Sequence, residues 1–261
     1  MGSVGWSQYC QETRSKYPAI EAAHKDSSGF INSYRFIDSL SSHLKDDHII
    51  VTDMGTALLS GHQAIRLKES QRMFTSLGLG EMGYGLPGAL GAAAAFPKRD
   101  VLCLNCDGGI MMNIQELHTL VENGFNVKII IFNNDGYLMI KHTQKMLFKG
   151  AYTSVDKSTG IGLPDFEKVS VAFGYKYYSA SDSGSYDNCL SQFINTPGAA
   201  VLEVFMDPEQ EFCPKVKGVV QKDKSILAPP LEEMSPLLPM KEVQSSMIGP
   251  LSTKSKLINR S

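Results

Sequence analysis

The sequence VLCLNCDGG, residues 101–109, contains an apolar run of strand length that ends in a polar turn with two glycines. A second stretch of the same kind, VKIIIFNNDG, occupies residues 127–136. Continuous apolar runs of this length are typical of strands that are covered on both faces, as they are in parallel sheets. Because ligands bind open α/β sheets at the carboxyl ends of the strands, the two turns are candidate ligand sites.

The two turns carry oxygen atoms that suit a hard cation. Asp107 supplies a carboxylate, Asn134 an amide oxygen and Gly136 an unobstructed backbone carbonyl. Mg²⁺ accepts such ligands when it also bridges to phosphate groups of a substrate. Asn134 lies 27 positions after Asp107, which is the length that one helix and one return strand need to bring neighbouring strand ends together. The sequence therefore predicts one metal ion held by both turns.

The segments around these turns alternate between strand-like and helix-like patterns. Ser33 is predicted to cap a helix with one apolar face, and the alanine-rich residues 86–96 predict another helix. Further helices are predicted at residues 113–123, 165–173 and 186–194, and strands at residues 48–52, 101–105, 127–132, 175–179 and 200–205. This alternation predicts an α/β fold, an open, doubly wound and mostly parallel sheet with helices on both faces.

The composition is that of an ordinary globular protein. Of the 261 residues, 43% are hydrophobic and 20% are charged, which suits one or two domains with a substantial core. The net charge of −2 gives no footprint for nucleic acid. No apolar run reaches the roughly 18 to 20 residues of a membrane span, and no signal-peptide pattern begins the chain, so we expect a cytoplasmic protein without a membrane partner. Five sparse cysteines do not make a disulfide framework.

The ordered pair of turns resembles the thiamine diphosphate and Mg²⁺ motif, in which Gly-Asp-Gly is followed, one helix and one strand later, by Asn-Asn. Further similar stretches are INSY at residues 31–34, VTDMG at 51–55, GLGEMGYGLP at 78–87, MNIQEL at 112–117 and NVK at 126–128. Together these stretches resemble the carboxy-terminal, diphosphate-binding domain of acetolactate synthase-like enzymes. The resemblance implies that residues 29–207 form a thiamine diphosphate- and Mg²⁺-binding domain, and that residues 1–28 are a linker-like segment before it. Residues 208–261 are rich in proline and lack periodicity, which predicts an extended tail that becomes disordered.

The resemblance assigns roles to the residues of the two turns. It implies that Asp107, Asn134 and Gly136 bind Mg²⁺ and that thiamine diphosphate is the cofactor. Gly108 and Gly109 would let backbone N–H groups approach the diphosphate, as glycines do at anion sites. An isolated Asp-Gly-Gly could instead cap a helix or stabilise a turn. The pairing of the two turns in this order is what favours the metal site.

Residues upstream of the turns are implied to contact the cofactor as well. Gly55 and Thr56 match the family's loop near the diphosphate, although Asp53 could simply finish a strand and cap the next turn. The backbone at Gly80 and Met82 is implied to contact the aminopyrimidine, and the Met82 side chain to wedge beneath the ring system. That wedge would hold the cofactor bent, with its amino group close to the reacting carbon, and makes Met82 the predicted catalytic residue. The alternative for Met82 is a plain core methionine.

Two other motifs predict different chemistry. GLGEMG, residues 78–83, fits the GxGxxG pattern of an NAD-dependent oxidoreductase, but only a short candidate strand precedes it and no acidic residue ends the next strand. CLNC, residues 103–106, fits the CxxC pattern, yet no second ligand pair follows at zinc spacing. Both are weaker hypotheses than the thiamine diphosphate site.

The chain departs from the family's pattern after Gly55, where TAL at residues 56–58 replaces the common Gln-His-Gln, and at three further positions. Cys106 stands where the family usually has a glycine, and its Cβ in a tight turn is expected to lower cofactor affinity. Gly109 stands where many members place serine or alanine. Thr143 stands where acetolactate-forming synthases have a tryptophan that shapes the second-substrate site, so the 2-oxo acid and its acceptor stay open.

The resemblance implies a 2-oxo acid carboligase or decarboxylase, of which this chain is the diphosphate- and Mg²⁺-binding half. Enzymes of this type need a glutamate on a separate pyrimidine-binding domain, which activates the cofactor by general acid-base catalysis. Residues 1–28 are too short to be that domain. We therefore expect inactivity without that domain, and either a homo-oligomer or a second chain that carries it. A non-catalytic thiamine diphosphate-binding or pairing subunit is the alternative.

Overall fold

The computed structural model describes residues 3–223 and 225–258. Residues 1, 2, 224 and 259–261, which belong to the predicted linker-like segment and tail, lie outside the described residues. The chain forms two compact units: Ala19–Gln210 is one, and the residues before Ala19 and after Gln210 form the other. The predicted cofactor-binding domain, residues 29–207, falls within the first unit.

The larger unit is built on a sheet of six parallel strands. These are β1 (Ile49–Thr52), β2 (Arg72–Phe74), β3 (Val101–Cys106), β4 (Val127–Asn133), β5 (Lys176–Ala180) and β6 (Ala200–Phe205). Their spatial order is β2, β1, β3, β4, β6, β5, and every neighbouring pair is parallel. β3 is buried along its whole length, as expected for a central strand covered on both faces. The predicted parallel α/β sheet is confirmed.

The described α-helices of the two units are, in chain order, α1 (Ser3–Lys16), α2 (Ser33–His43), α3 (Thr56–Ala64), α4 (Gly85–Ala95), α5 (Asp107–Ile110), α6 (Glu116–Glu122), α7 (Leu138–Leu147), α8 (Phe166–Ala172), α9 (Tyr186–Asn195) and α10 (Met240–Ser246). Helices of the larger unit cover both faces of the sheet. α4, α6 and α8 pack on the face that includes Val51 and Ile129. The opposite face meets α2 and α9, where the ring of Phe36 contacts those of Phe132 and Tyr186. Alternate strand residues therefore point into two cores.

The parallel register brings three strand ends to one edge of the sheet. Thr52 on β1 is in register with Leu104 on β3, and Cys106 on β3 with Phe132 on β4. The turns that follow β1, β3 and β4 therefore lie side by side, as the spacing of the two polar turns predicts. Chain order reverses at β1, which lies between β2 and β3, and open α/β sheets bind ligands at such an edge.

Two predicted helix starts differ from the structure. Asn32 caps α2 in place of Ser33, because the Asn32 side chain accepts a hydrogen bond from the backbone N–H of Tyr34. The helix predicted at residues 113–123 begins at Glu116, since the residues before it form turns. Neither difference moves the strand ends that carry the polar turns.

The second unit joins the two ends of the chain through α1 and α10. The Tyr9 hydroxyl donates a hydrogen bond to the carbonyl of Ser246, and the Tyr17 hydroxyl donates one to Glu242 Oε1, both at 3.0 Å. The segment predicted to be a linker thus contains the helix α1 in its described part. Among the described residues, no helix is both long and apolar enough to cross a membrane.

The described part of the tail differs from the extended chain that its composition predicts. It contains a short antiparallel hairpin, β7 (Val219–Val220) with β8 (Ile226–Leu227), and the helix α10. Pro239 lies at the N-cap of α10, where the lack of a backbone N–H has no cost. The elements are too short to produce a periodic sequence signal, and the contacts of α10 with α1 are between residues far apart in the chain.

Candidate functional site

A cavity lies where the turns after β1, β3 and β4 meet. Eight of the nine residues predicted to contact the cofactor line it, namely Gly55, Thr56, Met82, Asp107, Gly108, Gly109, Asn134 and Gly136. Gly80 is not among its lining residues. The lining also contains Cys106, which is a position of the motif, and five residues to which the sequence assigns no role, namely Met54, Tyr137, Leu138, Met139 and Ile140. Leu138, Met139 and Ile140 lie on α7 and Tyr137 lies directly before it, and the sequence of α7 gives no sign that it faces a polar turn.

Asp107 joins the turns after β3 and β4. Its carboxylate is fully buried. Oδ1 accepts a hydrogen bond from the N–H of Gly108 at 2.7 Å, and Oδ2 accepts from the N–H groups of Asn134 and Gly136 at 2.8 and 3.1 Å. Burial raises the pKa of Asp107 to about 7, although these N–H donors pull it down. In the part of the chain that the structure describes, no ion pair includes Asp107.

Asn134 presents an oxygen atom that lacks a partner. Its Oδ1 is buried and has no hydrogen-bond partner among the described residues, and its backbone N–H donates to the buried carboxylate of Asp107. An unpaired buried oxygen and an unpaired buried carboxylate are both costly, and a hard cation bound by these two groups would remove both costs. No group of three or more His, Cys, Asp or Glu side chains in the described residues could hold a metal. A cation here would thus depend on one carboxylate, an amide oxygen and backbone oxygens, and the residues fit that donor set.

Gly136 is required by the geometry of the second turn. Its φ is 150° and that of Asp135 is 59°, both in the region that favours glycine or asparagine and aspartate. A Cβ on Gly136 would overlap the backbone carbonyl of Val155. The turn is closed by a hydrogen bond from the N–H of Tyr137 to that carbonyl, at 2.7 Å.

Gly108 is required by the ring of Tyr137. A Cβ on Gly108 would overlap the ring, which lies directly on the glycine. The sequence does not predict this contact, because a tyrosine that follows a glycine in the chain gives no indication of which residue its ring will touch. The contact places an aromatic side chain from the β4 turn over the backbone of the β3 turn.

Asp53 lies behind the cavity and holds the glycine-rich segment. It is fully buried, and its Oδ1 accepts hydrogen bonds from the N–H groups of Met54 and Gly83 at 2.7 and 2.9 Å. Burial raises the pKa of Asp53 to about 6. A Cβ on Gly109 would lie 2.6 Å from Asp53 Oδ2. The missing side chain at Gly109 therefore leaves space for the carboxylate that ties β1 to the segment containing Met82.

Cys106 does not strain its turn. Its φ of −118° and ψ of 157° are extended, so its Cβ causes no backbone strain, while the expected loss of cofactor affinity stays a prediction. The Cys106 thiol donates to the carbonyl of Met54 at 3.3 Å, and its sulfur accepts from the N–H of Ala57 at 3.4 Å. Burial raises the pKa of both Cys103 and Cys106, which disfavours the thiolates that a zinc site needs.

The loop after β1 begins α3 beside the cavity. Gly55 is the N-cap of α3, with φ at 85°, and Thr56 is its first residue. Met82 is half-buried. Gly80 has a φ of 66°, and a Cβ there would overlap the end of the Met54 side chain. The backbone N–H of Gly83, the last glycine of the GxGxxG stretch, donates to the Asp53 carboxylate and so is not available to the phosphate of a bound nucleotide.

The chain is similar to known proteins over the same region. Residues 53–204 match the family described as thiamine pyrophosphate enzyme, C-terminal TPP binding domain. Acetolactate synthase isozyme 1 large subunit of Escherichia coli (strain K12) is 33% identical over 211 residues, which cover 81% of this chain and 36% of that protein. Acetolactate synthase large subunit of Porphyra purpurea is 29% identical, over 82% of this chain and 35% of that protein.

One solved structure supports the fold alone. The Rhodococcus jostii RHA1 thiamine diphosphate-dependent 4-hydroxybenzoylformate decarboxylase superposes with a TM-score of 0.62 at 23% identity, covering 73% of this chain and 35% of that one. The chain thus spans about a third of the length of the curated relatives that it matches.

Proposed function

This chain belongs to the thiamine pyrophosphate enzymes, as a form of their C-terminal cofactor-binding domain, and from that premise we propose that it is the diphosphate- and Mg²⁺-binding half of a 2-oxo acid carboligase or decarboxylase of acetolactate synthase type. In this family the domain binds thiamine diphosphate, another name for the pyrophosphate, together with Mg²⁺. The curated relatives with the same region are acetolactate synthase subunits.

The observation that carries the proposal is the pair formed by Asp107 and Asn134. A fully buried carboxylate without an ion-pair partner among the described residues lies next to a buried amide oxygen without a hydrogen-bond partner. A divalent cation would satisfy both groups, and the carbonyl of Gly136 would complete the protein's share of the ligands. Perturbed buried carboxylates of this kind are concentrated at functional sites.

The cofactor, when bound, supplies a nucleophilic carbon and an electron sink for the decarboxylation of a 2-oxo acid. The residues of the chain bind and orient it. Asp107, Asn134 and Gly136 hold the cation, and the amino-terminal end of α3 at Gly55 and Thr56 favours the negative charge of the diphosphate. Met82 supports the ring system from the cavity wall, and Asp53 fixes the segment that carries Met82.

We further propose that the chain does not turn over by itself. The region found here corresponds to about a third of the matched relatives. The pyrimidine-binding domain with its activating glutamate would therefore come from a second chain or from another subunit of a homo-oligomer. Thr143, at the position of the synthases' tryptophan, leaves the second substrate open. If no such partner restores activity, a non-catalytic thiamine diphosphate-binding subunit is the function that remains.

The test is the thermal unfolding midpoint of the purified chain with thiamine diphosphate, with Mg²⁺, and with both. A ligand that binds only the folded state raises the midpoint, so we expect a rise that requires both components together. Absence of any rise, with and without a candidate partner, would contradict the proposed function. Decarboxylation of pyruvate by the chain alone would contradict its dependence on a partner.

A further inference from the structure

Glu203 contacts the turn that carries Asn134 and Gly136. This residue lies on β6, next to β4, with Ile131 as its partner in register, and it is only 4% exposed. One of its oxygens, Oε1, accepts a hydrogen bond from Asn133 Nδ2. The other, Oε2, accepts one from the hydroxyl of Tyr177 on β5 at 2.5 Å. Both donors are neutral groups.

The other end of the Asn133 amide contacts the backbone of the turn. Its Oδ1 accepts a hydrogen bond from the N–H of Asp135 at 2.9 Å. A carboxylate only accepts hydrogen bonds, so Glu203 requires the NH₂ side of the Asn133 amide and leaves the oxygen side for Asp135. Asp135 has a left-handed φ of 59°, which aspartate adopts more readily than most residues with a side chain but still at an energetic cost.

We propose that Glu203 is a positioning residue for the cation site: by orienting the Asn133 amide, it holds the turn in the conformation that leaves the buried Asn134 Oδ1 without a protein partner and places the N–H of Gly136 against Asp107. The inference rests on the proposed function, because the cation belongs to it. The path from Glu203 to the site has no gap: Asn133 joins Glu203 to Asp135, and the residues on either side of Asp135 are the proposed ligands.

Stability alone does not account for a carboxylate at this position. A buried carboxylate is costly unless a cation pairs with it, and no ion pair in the described residues includes Glu203. A glutamine could accept the hydrogen bond from Asn133 without the buried charge, but its amide could also turn over and present a donor. A carboxylate has no donor to present, so it fixes the direction of the Asn133 amide.

The experiment compares Glu203→Ala and Glu203→Gln with Lys128→Met. Lys128 is 2% exposed and lies on the same strand as Asn133, at its other end, so Lys128→Met controls for the loss of a buried charge. Two readouts are taken from each chain. The first is amide hydrogen exchange of residues 135–137 in the absence of ligand, and the second is the Mg²⁺ concentration that half-saturates the thermal shift at fixed thiamine diphosphate.

We expect Glu203→Ala to speed exchange at Asp135 about tenfold and to weaken the apparent Mg²⁺ affinity about tenfold, since partners that orient metal ligands contribute that much. Glu203→Gln should retain most of both, because Gln can still accept from Asn133 Nδ2. Lys128→Met should change neither, whatever it does to the unfolding midpoint. In an Asn133→Ala background, Glu203→Ala should add no further loss of affinity.

Wild-type exchange and Mg²⁺ affinity in a folded Glu203→Ala chain would overturn the inference. So would a full additional loss in the double variant, which would mean that Glu203 acts by another route. If the wild-type chain shows no Mg²⁺-dependent shift at all, the proposed function fails, and the exchange measurement still decides whether Glu203 holds the turn.

Discussion

The charged groups at the two ends of the parallel sheet have different hydrogen-bond and ion-pair partners. At the amino end, Lys45 Nζ lies 2.5 Å from Asp100 Oδ2, Asn126 Nδ2 donates to Asp100 Oδ1 at 2.6 Å, and Lys128 Nζ donates to Asn126 Oδ1 at 2.7 Å. Positive and negative groups thus share one network. At the carboxyl end, Asp53 and Asp107 are fully buried and are held only by backbone N–H groups in the described residues.

This difference separates a structural network from a binding site. Burial lowers the pKa of Lys128 to about 8 and raises that of Asp107 to about 7, so both ends have groups that bear a cost of desolvation. Only the amino end offsets this cost with opposite charges of its own. The carboxyl end is left with an excess of negative charge and an unpaired amide oxygen, which is the condition that a cation and its diphosphate would relieve.

The largest expected effect comes from Asp107→Asn. The substitution removes the only charged protein group proposed to bind the cation, so the midpoint shift caused by thiamine diphosphate with Mg²⁺ should disappear, a loss of affinity of at least about a hundredfold. Lys128→Met, at the other end of the sheet, should keep the shift. A normal shift in Asp107→Asn would mean that the buried carboxylate is not a metal ligand and would erase the contrast between the two ends.

Gly108→Ala tests the packing of the carboxyl end. The added Cβ overlaps the Tyr137 ring, and overpacking of this kind costs about 1 to 3 kcal/mol, so the free energy of unfolding from urea titration should fall by that amount. Gly91→Ala is the matched control: nothing lies within 4 Å of its Cβ position, and alanine in a helix should add up to about 1 kcal/mol. In a Tyr137→Ala background the ring is absent, so adding Gly108→Ala should lower the free energy of unfolding by much less than it does in the wild-type chain. Equal effects at the two glycines would contradict the contact.

The contrast between these glycines also marks what the sequence can predict. The apolar runs at β3 and β4 and the spacing of Asp107 and Asn134 predict a parallel sheet and two adjacent turns, because strand burial and chain length are local properties. The ring of Tyr137 on Gly108 and the amide link from Glu203 are set by the register of neighbouring strands, which a single sequence does not display. Composition likewise could not reveal that α1 and α10 pack together.

Asp53 gives the carboxyl end a pH dependence. Its pKa is raised from about 4 in the unfolded chain to about 6 in the folded one, so the folded state binds the proton more tightly. The contribution of Asp53 to the free energy of unfolding should therefore be highest below about pH 4 and fall, by on the order of 2 kcal/mol, as the pH rises to about 6. Asp53→Asn cannot ionise and should lack this loss. Asp107 is present in both chains, so its contribution cancels in the difference, and a difference that stays flat from pH 4 to 7 would contradict the assignment.

The smallest effect should come from the amino end, through Lys45→Ala. Lys45 pairs with Asp100, but its side chain is 56% exposed, and exposed ion pairs contribute at most about 1 kcal/mol. Lys45→Ala should lower the free energy of unfolding by about 0.5 kcal/mol in dilute buffer and by less in about 1 M salt, where charges are screened beyond about 3 Å. The midpoint shift with thiamine diphosphate and Mg²⁺ should be unchanged, since the charge balance of this end does not involve the ligand. A change in that shift would show that the two ends are coupled. The unpaired negative charge at the carboxyl end of the sheet could then not be attributed to the binding site alone.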